Sequence, residues 1–353
     1  MNVTIIGAGN GGQAMAGHFT LLGHSVKLYN RTISRVAALL PDKKIRLTDQ
    51  LDATITLDMV TDNLRLAIQG SDLIMVTTTA DAHKPLAKEM APYITDGQTI
   101  LLNPGRTLGA IEFSNILRKN TSASVYIGEA QSLIYACRAE SAGNVRVIGI
   151  KDRVLLAAYP SNDTDYVLKI ANSAFHCFEK ASNVLRTSLE NIGAIFHPTV
   201  IIFNAAAIER GNMFYFYNDM TSAVADFLTK VDQERLNIGQ AFGIELLSVF
   251  DWISYAYNGV EGNTLMEKMR NNPAYYQILA PKTLHSRLLL EDVPTGILPL
   301  SELAKIANVS TPLLNSIVEI TQALLGVDFR KTGRTLENLG LNGITIDEFK
   351  ASL

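Results

Sequence analysis

Two hydrophobic rhythms divide the chain. Up to about residue 183, short apolar runs recur. Val3, Ile5 and Ile6 open the series, and 25–29, 72–77, 98–102 and 124–127 follow, with helix-compatible stretches such as 13–22 and 62–69 between them. This alternation predicts a doubly wound parallel sheet. The runs 145–150 and 154–158, joined by Lys151-Asp152-Arg153, read as a hairpin or sheet edge. From residue 184 the strand-like runs stop and a helical period takes over. Thr187-Ser188-Leu189-Glu190 fits a capping box opening a helix. Val224, Phe227, Leu228 and Val231 follow i, i+3, i+4, i+7 spacing, as core positions do. Thr311-Pro312 reads as N-cap and N1 of a helix through Leu325, stopped by Gly326, with Leu314, Ile317, Thr321 and Leu324 on one face. The expected organisation is an α/β sheet domain over 1–183 and a mostly α-helical domain over 184–353, with a ligand cleft between them.

Directly after the first strand come Gly7, Ala8, Gly9, Asn10, Gly11 and Gly12. Gly7, Gly9 and Gly12 keep G-x-G-x-x-G spacing, and a helix-compatible segment follows, closed by Gly23. The first glycine permits the tight turn, the second lets a pyrophosphate approach the backbone, and the third lets helix and strand pack closely. The helix N-terminus then offers free N–H groups to phosphate. Strand before, helix after and a second strand next are the context that makes the first domain a Rossmann-type dinucleotide fold rather than a mere tight turn. Ligands in such sheets lie beyond the carboxyl ends of the strands. That rule selects Thr77-Thr78-Thr79, Asn103-Pro104-Gly105-Arg106 and Glu129-Ala130-Gln131, of which Thr77 and Asn103 are assigned to the cofactor. Each could equally be an ordinary strand-to-helix turn. At the end of the second strand stand Asn30, Arg31 and Thr32, with no carboxylate to hold a ribose 2′-hydroxyl. Arg31 can pair with a 2′-phosphate in bidentate fashion, so NADP is favoured over NAD. The same three-residue run resembles that of NADP-using 6-phosphogluconate dehydrogenases. The plain alternative is a solvated surface arginine.

Composition narrows the class. The chain has 353 residues, 18% of them charged and 47% hydrophobic, enough for two sizeable cores and for a buried interdomain or homodimer surface. A net charge of −3 without a basic block argues against nucleic acid. Two cysteines, Cys137 and Cys177, without C-x-x-C or a His/Cys cluster, argue against disulfides and a metal site and for a reducing compartment. A core strand beginning at residue 2 and the lack of a long apolar run predict a cytoplasmic protein without leader or membrane span.

Two stretches of the second half do not read as plain core. In Phe196-His197-Pro198, the proline must kink a helix or occupy its first turn, so His197 sits at a break; Asn204, seven residues on, shares its face. In His285–Pro299, Arg287, Glu291, Asp292, Pro294 and Gly296 are dense enough to predict a loop projecting charged groups. The other histidines read as structural: His18 and His24 at the surface or in caps, His176 in packing, His285 without a role, and His83 as a neighbour of the nicotinamide at most. Cys137 reads as an inert buried thiol, with a place in the substrate pocket as its alternative.

At these residues the chain resembles the opine dehydrogenase family, the octopine and nopaline dehydrogenases and their relatives. The matching pieces are the opening G-A-G-N-G-G, Leu102-Asn103-Pro104-Gly105 with Leu108-Gly109, the run from Glu129 to Arg138, His197-Pro198 with Asn204, Arg287 with Glu291-Asp292-Val293-Pro294 and Gly296, and Gly333-Arg334-Thr335-Leu336-Glu337 with Leu339-Gly340. The resemblance implies a 6-phosphogluconate dehydrogenase-like helical domain. It implies an enzyme that joins the amino group of an amino acid to a 2-oxo acid such as pyruvate and reduces the imine with NAD(P)H. By that resemblance His197 is the catalytic histidine and Asp292 its partner, while Arg287 and Asn204 face substrate; Glu129, one of the cleft-lining strand ends, is assigned to the substrate too. A histidine suits the proton traffic because its ordinary pKa is about 6.5. The loops 212–222 and 255–276 match no motif, so the amino donor stays open. Two other readings use the same scaffold: a 2-hydroxyacid or ketopantoate-type reductase, and a non-catalytic dinucleotide sensor.

Overall fold

The structure, a computed structural model, describes residues 1–257 and 259–353. They divide into two units, Met1–Ser188 with Leu353, and Leu189–Ser352. The division lies slightly beyond the expected 183/184 boundary.

The first unit runs β1 (Asn2–Ile6), α1 (Asn10–Leu21), β2 (Ser25–Tyr29), β3 (Lys44–Asp49), β4 (Ala53–Thr56), β5 (Met59–Thr61), α2 (Leu64–Ile68), β6 (Leu73–Val76), α3 (His83–Met90), β7 (Thr99–Leu102), α4 (Gly109–Asn120), β8 (Tyr126–Ala130), β9 (Tyr135–Ser141), β10 (Asn144–Ile150), β11 (Val154–Ala158), α5 (Thr164–Ala174) and β12 (Phe178–Lys180), and ends within α6 (Val184–Leu189). Eight strands form one sheet in the order β12-β11-β8-β7-β6-β1-β2-β5. Only the β8–β11 pair is antiparallel. β1 lies between β2 and β6, in register Val3↔Val26 and Val3↔Leu73. A strand covered on both edges and both faces carries a continuous apolar run, as Val3, Ile5 and Ile6 do. Thr4, buried in the same strand, satisfies its hydroxyl on the Ala67 carbonyl at 2.6 Å.

A second, four-stranded sheet has the order β4-β3-β10-β9, and the sequence reading assigns no strand to its β3 and β4. It also corrects the expected hairpin over 145–158. β10 pairs with β3 and β9, whereas β11 pairs with β8 and β12, so Lys151-Asp152-Arg153 crosses from one sheet to the other. The expected capping box at 187–190 is corrected too. Thr187 and Ser188 lie within α6 and bond to the buried Glu129 carboxylate instead. His18, expected at the surface or in a cap, is in the last turn of α1 but its side chain is buried, with Nδ1 2.9 Å from the Tyr135 hydroxyl. His176, expected in packing, is exposed.

The second unit is helical: α7 (Ile192–Phe203), α8 (Ala205–Glu209), α9 (Ser222–Phe242), α10 (Val249–Ala256), α11 (Leu265–Asn271), α12 (Arg287–Leu290), a π-helical turn Val293–Ile297, α13 (Leu298–Ala307), α14 (Pro312–Leu325), α15 (Phe329–Thr332), α16 (Leu336–Leu339) and α17 (Ile346–Ser352). α9 is its axis. Buried Arg235 pairs with Asp232 at 2.7 Å and donates to the Leu189 carbonyl at 3.0 Å and the Leu247 carbonyl at 2.5 Å. That satisfies a cation that would otherwise be costly inside. α14 has the expected Pro312 at N1 and Gly326 stop, but Thr311 makes no cap bond. The Glu234 carboxylate accepts the Leu313 and Leu314 N–H groups instead, each at 2.9 Å. Leu314, Ile317 and Thr321 are buried as expected, whereas Leu324 is exposed. The expected loop over 285–299 is corrected: it is α12, the π-helical turn and the start of α13, buried from Glu291 to Leu300.

Candidate active site

α7 carries His197 in the middle of an apolar helix, and Pro198 lies inside that helix rather than in its first turn. Proline has no N–H, so the Ala194 carbonyl loses its usual helical donor. Against Ala194 packs Gly296 of the π-helical turn, and any Cβ at Gly296 would overlap the Ala194 methyl. This close approach seats the turn on α7. Asp292, the residue before the turn, thereby meets His197, with Oδ2 2.7 Å from Nδ1. The Asp292 side chain is 1% exposed and that of His197 18%. Gly333 presses on the other side of the turn, and Arg334 N–H donates to the Pro294 carbonyl at 3.0 Å. The Gly333-Arg334-Thr335 stretch thus clamps the element that delivers Asp292. A π-turn offsets the helical register, which is a common device at functional sites.

An ionised carboxylate only accepts hydrogen bonds, so neutral His197 carries its proton on Nδ1 and leaves Nε2 as the atom that can take one. The Tyr217 hydroxyl lies 3.4 Å from Nε2. Burial holds that phenol well above its ordinary pKa, nearby Tyr257 and Asp292 push the same way, and Arg287 opposes them. Asn204 ends α7 and spends its amide N–H on the Val200 carbonyl at 2.9 Å. Arg287 stands at the start of α12 with its side chain 66% exposed, 4.0 Å from buried Glu291. Sequence reasoning misses Tyr217, Glu291 and Gly296 as site residues. The only signal for Tyr217 is the aromatic density of the two unmatched loops, with Tyr215, Phe216 and Tyr217 in one and Tyr255, Tyr257, Tyr275 and Tyr276 in the other.

In the first unit the glycine loop has the shape its spacing implies. Gly7 has φ +102°, and a Cβ at Gly12 would overlap the Gly7 carbonyl oxygen, so loop and helix touch there. A Cβ at Gly9 would meet nothing within 4 Å, which leaves open space above the uncapped start of α1. Asn30 accepts from Ala8 N–H at 3.2 Å and donates to the Thr32 carbonyl at 2.8 Å, tying the loop to the end of β2. Gly11 lies beside Leu133, while exposed Arg31 follows Asn30. Thr77 donates to the Gly7 carbonyl at 2.9 Å. At the end of β7, Asn103 donates to the Ser132 carbonyl at 3.4 Å, and its own Oδ1 is buried without a partner among the described residues. Open space over an uncapped helix start and an unpaired amide oxygen fit a nicotinamide dinucleotide.

Glu129 is corrected in place. It lies inside β8, 0% exposed, where its carboxylate accepts from Ala110 N–H at 2.8 Å, Thr187 at 2.5 Å and Ser188 at 3.1 Å. It braces the start of α4 and the C-terminal half of α6. Cys137 is half-buried on β9, and burial pushes its thiol up to about 11, so it is unreactive near neutrality. His83 is buried at the start of α3 beside Phe113. Among the described residues, no group of three or more His, Cys, Asp and Glu side chains could hold a metal, and no helix is long and apolar enough to cross a membrane.

Comparison with known proteins agrees with both units. Residues 3–104 match the ketopantoate reductase PanE/ApbA family, and residues 180–325 match the alpha-helical domain of NAD/NADP octopine/nopaline dehydrogenases. An opine dehydrogenase of Arthrobacter sp. (strain 1C) is 38% identical over 344 residues, 97% of this chain and 95% of that protein. Among solved structures, octopine dehydrogenase with NADH and L-arginine superposes with a TM-score of 0.82 at 21% identity, over 100% of this chain and 98% of that one. Yersinopine dehydrogenase with NADP+ gives 0.73 at 16%, over 100% and 97%. These two share the fold. The class is therefore an NAD(P)-dependent oxidoreductase acting on CH–NH bonds. The chain belongs to the opine dehydrogenase family, whose reaction is the reductive condensation of an amino acid with a 2-oxo acid through an imine.

Proposed function

We propose that His197 is the proton-transfer group of this condensation, that Asp292 orients it, and that NADPH is the preferred reductant. The 2.7 Å contact between His197 Nδ1 and Asp292 Oδ2 carries the reading. An amine must lose a proton before it attacks a ketone, and His197 Nε2 is placed to take it. The carbinolamine oxygen must gain a proton before water leaves, and the imidazolium so formed can return it. The buried Asp292 carboxylate stabilises that imidazolium and keeps its tautomer. Arg287, exposed and planar, suits a substrate carboxylate, and Asn204, at the C-terminal end of α7, would face the substrate as well. When bound, NADPH supplies the hydride that the imine carbon accepts. The Gly7–Gly12 backbone would hold its pyrophosphate, with Thr77 shaping the loop and Asn103 Oδ1 open to an amide donor. Arg31, exposed and without a carboxylate partner among the described residues, would hold its 2′-phosphate. Two free cysteines suit a reducing compartment, and we place the enzyme in the cytoplasm.

The test is NADPH oxidation with pyruvate, with a panel of amino acids, and with both together, followed by the mass of the product. The reading expects oxidation only with both, and a product equal in mass to the reduced condensate. Oxidation with the 2-oxo acid alone, giving a hydroxy acid, would instead assign the chain a ketopantoate-type reduction.

A further inference from the structure

In the second unit the unmatched loop 212–222 meets the end of the unmatched loop 255–276 and the residues just after it. Phe216 N–H donates to the Ile278 carbonyl at 2.7 Å, and Ala280 N–H to the Phe214 carbonyl at 3.0 Å, around an antiparallel bridge between Tyr215 and Leu279. Asn218 adds a cross-tie: its Oδ1 accepts from Gln277 N–H at 2.9 Å, and its Nδ2 donates to the Arg270 carbonyl at 3.3 Å. Tyr217, between these ties, is held on several sides. Its ring stacks on Tyr275 with centroids 4.0 Å apart and planes at 12°. Phe196 lies 5.2 Å away and Phe216 4.9 Å, edge-on. Tyr257 meets Tyr275 edge-on at 5.2 Å. A ring so confined has little rotamer freedom left to lose, so its hydroxyl is fixed before any substrate arrives.

That hydroxyl points at His197 Nε2, the nitrogen that the Asp292 bond leaves open. We propose that Tyr217 is a positioning residue for His197: its hydroxyl engages Nε2 and, with Asp292 on Nδ1, fixes the imidazole at both nitrogens. The inference rests on His197 being the proton-transfer group. A phenol both donates and accepts, so the contact survives either protonation state of His197: the O–H donates to Nε2 of the neutral ring, and the N–H of the imidazolium donates to the phenol oxygen. Burial keeps the phenol protonated near neutrality, which preserves the donor. The incoming amine then takes over a hydrogen-bonding site that is already aligned.

Tyr217→Phe keeps the stacked ring and removes only the hydroxyl. The expected result is a kcat loss of about threefold to tenfold, the worth of one neutral hydrogen bond, with KM for NADPH and the 2-oxo acid within about twofold. In the ligand-free protein, the 15N resonance of His197 Nε2 moves in this variant. Should the variant fail to fold, fluorotyrosine at position 217, which acidifies the hydroxyl at nearly constant ring size, is used instead and shifts the same resonance. Wild-type kcat in Tyr217→Phe overturns the proposal, as does a kcat loss with an unmoved Nε2 resonance in either protein. His197→Ala, run beside it, separates the two levels: if that variant turns over normally, the reading of His197 has failed, and not the role of Tyr217 alone.

Discussion

Asp292→Asn exposes the reasoning about proton transfer most sharply. The substitution keeps the side-chain volume and removes one buried charge, 2.7 Å from the His197 ring. A hydrogen bond to a charged group contributes about 1.5–3 kcal/mol, and 1.36 kcal/mol is tenfold in rate. Loss of imidazolium stabilisation alone therefore lowers kcat by about 10- to 150-fold. The tautomer adds to this. If the new amide presents its NH2 group to Nδ1, the ring proton moves to Nε2 and the base is lost, an effect that reaches about 10⁴-fold in histidine–carboxylate pairs of hydrolases. The variant should thus lose between about 10- and 10⁴-fold in kcat, while KM for NADPH stays within about twofold. The assay is the fall in reduced-nicotinamide absorbance with amino acid and 2-oxo acid both saturating, with circular dichroism to confirm the fold. A kcat within about threefold of wild type, or a loss confined to KM, would refute the orienting role.

Two further predictions address the first unit. Arg31→Ala should weaken NADPH by about tenfold or more and NADH by about twofold at most, measured by fluorescence titration; equal losses would place the 2′-phosphate elsewhere. Lys151, half-buried where the chain crosses between sheets, donates to Ser132 at 2.8 Å, and burial lowers its pKa to about 8. Its folded pKa is below its unfolded value, so between pH about 8 and about 10.5 the unfolded chain binds more protons and this group makes stability rise with pH. Lys151→Met should remove that rise, of order 1–3 kcal/mol, from denaturation curves compared across the window; parallel wild-type and variant curves would contradict it.

The opening strand, glycine loop and helix are legible in the sequence because their determinants are local: a buried run at Val3–Ile6, spaced glycines, and a helix stop at Gly23. The helical character of the second unit is legible for the same reason, through the period of α9 and α14. What is not legible depends on contacts between distant segments. Glu291, Asp292, Pro294 and Gly296 carry turn chemistry, yet Gly296 packs on Ala194 about a hundred residues away and turns the stretch into a buried π-turn. Thr187-Ser188 has capping chemistry but is recruited by Glu129. Thr311 is displaced as a cap by Glu234 of another helix. Local propensity loses in each case to a tertiary partner that satisfies the same polar groups. Family resemblance supplies the pairing of His197 with Asp292, which no spacing rule could reach across a separation of ninety-five positions. Tyr217 escapes both routes, because nothing in its loop repeats or matches.

We propose that His197 moves the protons that join amine to 2-oxo acid. The variant that isolates this step is His197→Ala, with NADPH binding and condensate formation measured on the same preparation. The expected result is unchanged NADPH affinity and a loss of product formation of about 10²-fold or more. Condensate formed at the wild-type rate by that variant would contradict it.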